Sequence, residues 1–114
     1  MCSSDLTVLI DCLTLLLAAR IDPDGNLDED AAAAEAGAIV AAARARAGAT
    51  VIVSNEIGLG VVPGDALSRA FVDAIGRIHR TIAAAADDVV LMAAGLPLPL
   101  KRDGVPLHHL PCAP

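Results

Sequence analysis

The sequence predicts an α/β fold in which a parallel sheet is flanked by helices, and three observations carry that prediction. Two short β-branched runs, residues 7–10 and 50–53, lack polar alternation, as strands buried on both faces of a parallel sheet do. Two longer stretches, residues 27–47 and 67–85, repeat apolar side chains every three or four positions, the period of an amphipathic helix. With a further apolar run at residues 88–93 the order is β-α-β-α-β, the alternation from which right-handed parallel crossovers follow.

The first strand, Thr7-Val8-Leu9-Ile10, ends at Asp11, and a short helix is expected over residues 13–19. The cluster Asp22-Pro23-Asp24-Gly25-Asn26 is dense in turn formers and stops it. In the next helix the expected apolar stripe is Leu27, Ala31, Ala34, Ala38, Ala41 and Ala45. Asp28, Glu29 and Asp30 fall in its first turn and Arg44 and Arg46 in its last, signs that suit the helix dipole, with Gly48 placed for a left-handed C-cap.

The second strand, Thr50-Val51-Ile52-Val53, leads into Ser54-Asn55-Glu56 and a loop ending at Asp65, a candidate N-cap. The following helix presents Leu67, Ala70, Phe71, Ala74, Ile75, Ile78, Ile82 and Ala85 as one stripe. Arg69, Asp73 and Arg77, four apart on that helix, are expected to form solvated ion pairs. The segment Leu96-Pro97-Leu98-Pro99-Leu100 is expected to be an edge strand or extended loop, because proline donates no ladder bond. Disorder is expected over residues 102–114.

At 114 residues the chain has the size of one small domain. It is 55% hydrophobic and 19% charged, within the globular range, although alanine supplies much of the apolar count and Phe71 is the single aromatic residue. A net charge of −6 argues against nucleic-acid binding, which uses a basic face. Cys2, Cys12 and Cys112 are an odd, unpaired set, so a reducing cytoplasm is expected rather than a disulfide framework. The apolar stretch at residues 6–19 is interrupted by Asp11 and is shorter than the roughly 20 residues a spanning helix needs. No basic leader of a secretory signal precedes it.

Ligands of open α/β sheets gather outside the carboxyl ends of the strands. Asp11 stands there, where a carboxylate holds Mg²⁺ against nucleotide phosphates or simply caps the next helix. Ser54, Asn55 and Glu56 occupy the equivalent place on the next strand, as site residues or as a polar strand end. Gly58-Leu59-Gly60 lacks the spacing of a phosphate loop and suits a flexible covering loop or a subunit contact equally well. His79 on a helix is expected to be a surface or packing residue. His108, His109 and Cys112 bear metal-binding groups, but the proline-rich tail offers no rigid four-ligand frame.

Three segments then carry a family resemblance: Asp11-Cys12-Leu13-Thr14-Leu15, Val53-Ser54-Asn55-Glu56-Ile57-Gly58-Leu59-Gly60-Val61-Val62-Pro63, and Ala83-Ala84-Ala85-Ala86-Asp87-Asp88-Val89 continuing to Ala94-Gly95-Leu96-Pro97-Leu98. They resemble the D-C-L-T-L, V-S-N-E-V-G-x-G-I-V-P and L-A-x-x-A-D-E-V…V-A-G-L-P-L segments of the bifunctional adenosylcobinamide kinase and adenosylcobinamide-phosphate guanylyltransferase family. The middle segment is the most specific, and the ordered match runs over residues 8–101. The resemblance implies a P-loop fold, of which this chain holds the C-terminal part of the parallel sheet without the N-terminal P-loop strand. It also implies phosphorylation of adenosylcobinamide by ATP or GTP with Mg²⁺, GMP transfer through a guanylylated histidine, and a homo-oligomer. On this sequence it assigns Asp11 to the metal and nucleotide, and Thr14, Ser54, Asn55 and Glu56 to the active-site edge.

The chain departs from the family's pattern in several places. It contains neither the G-G-x-R-S-G-K-S loop nor the H-R-x-x-R-P segment with the guanylylated histidine. His79 stands where the family has Asn, Arg80 where it has Gln, Leu16 for Trp and Val72 for Arg. His79 is therefore not a substitute for the missing nucleophile. Residues 1–6 do not resemble the family and look like translated adapter DNA. The expectation is an incomplete, inactive piece of the enzyme from a truncated gene model, with a short non-catalytic paralogue that binds a corrinoid or a partner as the alternative.

Overall fold

The computed structural model describes residues 6–107. Its elements in order are β1 (Val8–Asp11), α1 (Leu13–Ala18), α2 (Glu29–Ala45), β2 (Thr50–Val53), α3 (Ala66–Ala85), β3 (Val89–Ala93), β4 (Leu96–Arg102) and β5 (Val105–Pro106). β1 and β2 pair in parallel, Val8 opposite Thr50 and Asp11 opposite Val53. This register brings the two strand ends level, so Cys12 and Ser54 leave the sheet side by side.

The expected third parallel strand is not part of that sheet. β3 instead turns back on β4, which pairs with β5, in a separate antiparallel sheet. Both connections are two-residue turns with positive φ at each central residue, Ala94 (52°) with Gly95 (74°) and Asp103 (50°) with Gly104 (81°). That conformation matches the twist of antiparallel strands and selects a hairpin over a crossover. Glycine at the second position of each turn adopts the left-handed region at little cost. β4 lies between β3 and β5, but β5 pairs only Lys101 and Arg102, so residues 96–100 form the edge stretch the sequence leads one to expect. The stretch with Pro97 and Pro99 therefore has a strand neighbour on one side only, which proline tolerates. Residues 102–107, expected to be disordered, complete this second hairpin. Residues 108–114, with His108, His109 and Cys112, lie outside the described residues, as do residues 1–5.

The core is built between helices. Leu13 and Leu17 of α1, Ala32 and Ala36 of α2, and Ala74, Ile75 and Ile78 of α3 are buried, with Leu27, Ile39, Ile52, Phe71 and Ile82 packed around them. Five of the stripe positions expected on α3 are thus core or its immediate shell, and the stripe as a whole faces inward. On α2 the expected face was misplaced. Ala34, Ala38, Ala41 and Ala45 are exposed, whereas Ala32 and Ala36 are buried. With alanine at most positions no period separates one face from the other. The small side chains bring α2 close to α3.

The strands are less covered than the continuous apolar runs imply. Val8, Leu9, Val51 and Val53 are 38%, 62%, 48% and 40% exposed. A two-stranded sheet touched by the helical core chiefly through Ile52 leaves the rest of its apolar surface open, so the expectation of strands buried on both faces does not hold here.

Capping follows the chemistry at each helix end. Asp28 caps α2 by accepting from the Ala31 amide at 2.9 Å, and Asp65 caps α3 by accepting from Ser68 at 2.9 Å. Asp22 organises the preceding turn, its Oδ1 accepting from Asp24 and Asn26 amides at 3.0 and 2.8 Å. Gly48 is not the left-handed cap of α2, since the helix ends at Arg46 in extended conformation (φ −89°, ψ 146°). Arg46 then donates to the Leu6 and Ala49 carbonyls and to the Thr50 hydroxyl, tying helix end to both strands.

The ion pairing expected along α3 is redirected. Arg69 donates to the Pro63 and Gly64 carbonyls, and Arg77 pairs with Glu29 of α2. Lys101 of β4 donates to the Ala83 and Ala84 carbonyls, both at 3.0 Å. A cation at these unsatisfied carbonyls complements the negative end of α3 and anchors the antiparallel sheet to it.

Candidate active site

The strand ends assemble a polar shelf between α1 and α3. Asn55 Nδ2 donates to Thr14 Oγ1 at 2.8 Å, joining the segment after β2 to the first turn of α1. Ser54 Oγ is hydrogen-bonded to His79 Nε2 of α3 at 2.6 Å. Glu56 Oε2 lies 3.7 Å from His79 Nδ1, while its Oε1 accepts from the Gly58 amide at 2.7 Å. A Cβ on Gly58 would lie 3.0 Å from that same oxygen, so glycine lets the loop fold closely over the carboxylate.

The structure thus gathers Thr14, Ser54, Asn55 and Glu56 into two linked groups. Asp11 closes β1 on the same side, exposed to solvent. It does not cap α1, whose N-cap is Cys12 without a side-chain capping bond. Among the described residues no three acidic, histidine or cysteine side chains cluster as a metal cage.

Two members of the shelf were missed in the sequence. Cys12 Sγ is 3.0 Å from Thr14 Oγ1 and 3.9 Å from Asn55 Nδ2. The Thr14 hydroxyl, followed by the Leu15 backbone, holds the Cys12 thiol below its ordinary pKa. His79, expected to be incidental, joins Ser54 and Glu56. The available signal was its position four residues after Ile75 on the inward stripe, which carries its ring toward β2 rather than into solvent.

No described helix is long and apolar enough to cross a membrane. The sequence of residues 2–100 matches the family described as cobinamide kinase / cobinamide phosphate guanyltransferase. The chain is 42% identical over 98 residues to the bifunctional adenosylcobalamin biosynthesis protein CobP of Pseudomonas aeruginosa, covering 84% of this chain and 54% of that protein. It is 34% identical over 104 residues to the bifunctional adenosylcobalamin biosynthesis protein CobU of Escherichia coli, covering 82% of this chain and 58% of the relative. With CobU of Salmonella typhimurium the identity is 34% over 107 residues, with 85% and 59% covered. The chain therefore spans somewhat more than half the length of these relatives. The ordered motifs around Asp11 and Ser54, the parallel strand pair that aligns them and the match over residues 2–100 agree: the chain belongs to the cobinamide kinase / cobinamide phosphate guanyltransferase family.

Proposed function

We propose that this chain carries one edge of the active site of a bifunctional cobalamin-biosynthesis enzyme. In this reading the whole enzyme phosphorylates adenosylcobinamide with ATP or GTP and then transfers GMP from GTP to adenosylcobinamide phosphate. The observation that carries the reading is the convergence of Thr14, Ser54 and Asn55 beside Asp11 at the carboxyl end of a parallel strand pair. Sheets of this kind bind phosphorylated ligands at that end.

Ser54, Thr14 and Asn55 offer hydroxyl and amide groups to nucleotide or corrinoid oxygens, and Glu56 fixes the loop that follows. Asp11 provides a single exposed carboxylate, which fits Mg²⁺ in its usual setting of one or two carboxylates, waters and substrate phosphates. Bound there, the ion would neutralise phosphate charge during transfer.

The 114 residues contain no G-x-x-x-x-G-K-[ST] loop and no H-R-x-x-R-P segment. Activity in this reading therefore depends on elements supplied by the rest of the enzyme. A homo-oligomer is part of the proposal, supported by Leu59, Val61 and Val62, which stand 81%, 95% and 75% exposed on the loop after β2.

The test is to incubate the purified chain with Mg²⁺, GTP and adenosylcobinamide or its phosphate, and to follow products by chromatography. No phosphoryl or GMP transfer is expected from the chain alone. Turnover by the chain alone would overturn the reading, and corrinoid binding that ignores nucleotide would favour a non-catalytic binding role.

A further inference from the structure

The Ser54, His79 and Glu56 side chains form an arrangement that nucleotide binding does not require. A hydroxyl at 2.6 Å from an imidazole nitrogen, with a carboxylate facing the other ring nitrogen at 3.7 Å, has the connectivity of a nucleophile, a base and an orienting group. The three residues come from the end of β2, the loop after it and the middle of α3. Helix packing therefore sets their geometry, since Ile75 and Ile78, flanking His79 on the same helix, are 1% and 7% exposed. The His79 and Glu56 side chains remain 23% and 40% exposed, so the group is open to a ligand from solvent.

In the tautomer with its proton on Nδ1, the nitrogen facing Glu56, the ring accepts from the Ser54 hydroxyl at Nε2. The Ser54 oxygen is then polarised by the ring.

We propose that Ser54 is a nucleophile toward activated carboxylic esters, with His79 as its general base and Glu56 as the residue that positions His79. Ser54 Oγ bonds to the acyl carbon as its proton passes to His79 Nε2. The bond from the acyl carbon to the alcohol oxygen breaks, and the alcohol leaves with that proton. Water then attacks the acyl-serine, giving one proton to His79 and releasing the acid as the proton returns to Ser54 Oγ. This activity uses the same Ser54 hydroxyl that the nucleotide reading offers to substrate oxygens, but it needs no bound nucleotide and no element outside Ser54, His79, Glu56 and water.

The experiment uses the 114-residue chain with its cysteines first blocked by iodoacetamide, because Cys12 is a competing nucleophile. A fluorophosphonate is added, and the adduct is located by peptide mass spectrometry. Here Oγ bonds to phosphorus as fluoride leaves. Labelling is expected on Ser54, absent in Ser54→Ala, and slower by about a hundredfold in His79→Gln, the scale of general-base assistance. His79→Asn serves if His79→Gln does not fold, as judged by far-ultraviolet circular dichroism. Hydrolysis of p-nitrophenyl acetate should fall in parallel. Nitrogen NMR of the His79 ring should show Nδ1 protonated in the wild type and the proton moving toward Nε2 in Glu56→Gln, a signature that a packing role would not give. A folded chain with no Ser54 adduct, equal labelling in the His79 variants, or a ring protonated on Nε2 in the wild type would overturn the proposal.

Discussion

Asn55 donates its side-chain amide to the Thr14 hydroxyl across 2.8 Å, and that same hydroxyl lies 3.0 Å from the Cys12 sulfur. Asn55 thus occupies an acceptor position of Thr14 and leaves the Thr14 O–H to donate to the sulfur. A thiolate accepts this bond and a thiol gains less from it, which is why Cys12 sits below its ordinary pKa. The consequence is a larger thiolate fraction at neutral pH than a free cysteine has. Thr14→Val should raise the Cys12 pKa and slow its alkylation by iodoacetamide near pH 7. Asn55→Ala should have a smaller effect of the same sign. Mass spectrometry of the Cys12 peptide over time checks both, and equal rates in wild type and Thr14→Val would contradict the hydrogen-bond account.

The helical core predicts a steep contrast between positions. Leu17 and Ile75 are each 1% exposed, whereas Leu59 is 81% exposed. Leu17→Ala or Ile75→Ala should destabilise the chain by about 2–5 kcal/mol through lost burial and an unfilled cavity. Leu59→Ala should stay within about 0.5 kcal/mol, as substitutions on an open surface do. Urea unfolding measures both. Several core partners are alanines that bury little, so either large loss is expected to consume much of the total stability.

Acid should weaken the fold through two aspartates. Asp65 is held below the ordinary aspartate pKa first by the Ser68 side chain and then by the Ser68 amide, and Asp22 first by the Asn26 amide. Each carboxylate is more easily ionised folded than unfolded. Its contribution is therefore full above the unfolded value and is lost as pH falls below about 4, through the depressed folded value. Asp65→Asn and Asp22→Asn should flatten the acid limb of a plot of melting temperature against pH, leaving the neutral-to-alkaline side without a new slope. An unchanged acid limb in the double variant would contradict these assignments.

What the sequence discloses depends on how sharply each residue separates two alternatives. α3 was legible because Phe71, Ile75, Ile78 and Ile82 alternate with Asp73, Arg77 and Arg80, so one face only can be buried. α2 was legible as a helix from its caps and charges, but its inward face was not, because alanine on every side sets no direction. β3 was placed as a strand and given the wrong partner. Its pairing is decided by the turn Ala94-Gly95, whose positive φ values close a hairpin. The candidate site divides the same way. Asp11, Ser54, Asn55 and Glu56 are marked by standing just past apolar strands, whereas His79 is 25 positions from Ser54. Their contact arises only from packing α3 against the end of β2.

The shelf around Asp11 and Asn55 is proposed as a working edge of a kinase and guanylyltransferase site. Its most direct test replaces the matching stretch of Pseudomonas aeruginosa CobP with residues 8–100 of this chain and measures phosphoryl and GMP transfer to corrinoid substrates. The chimera should transfer both groups, and Asp11→Asn in the chimera should lower the rate by an order of magnitude or more while the protein stays folded, since metal-held phosphate charge is then unbalanced. A folded chimera with no transfer, or one whose transfer is indifferent to Asp11→Asn, would contradict it.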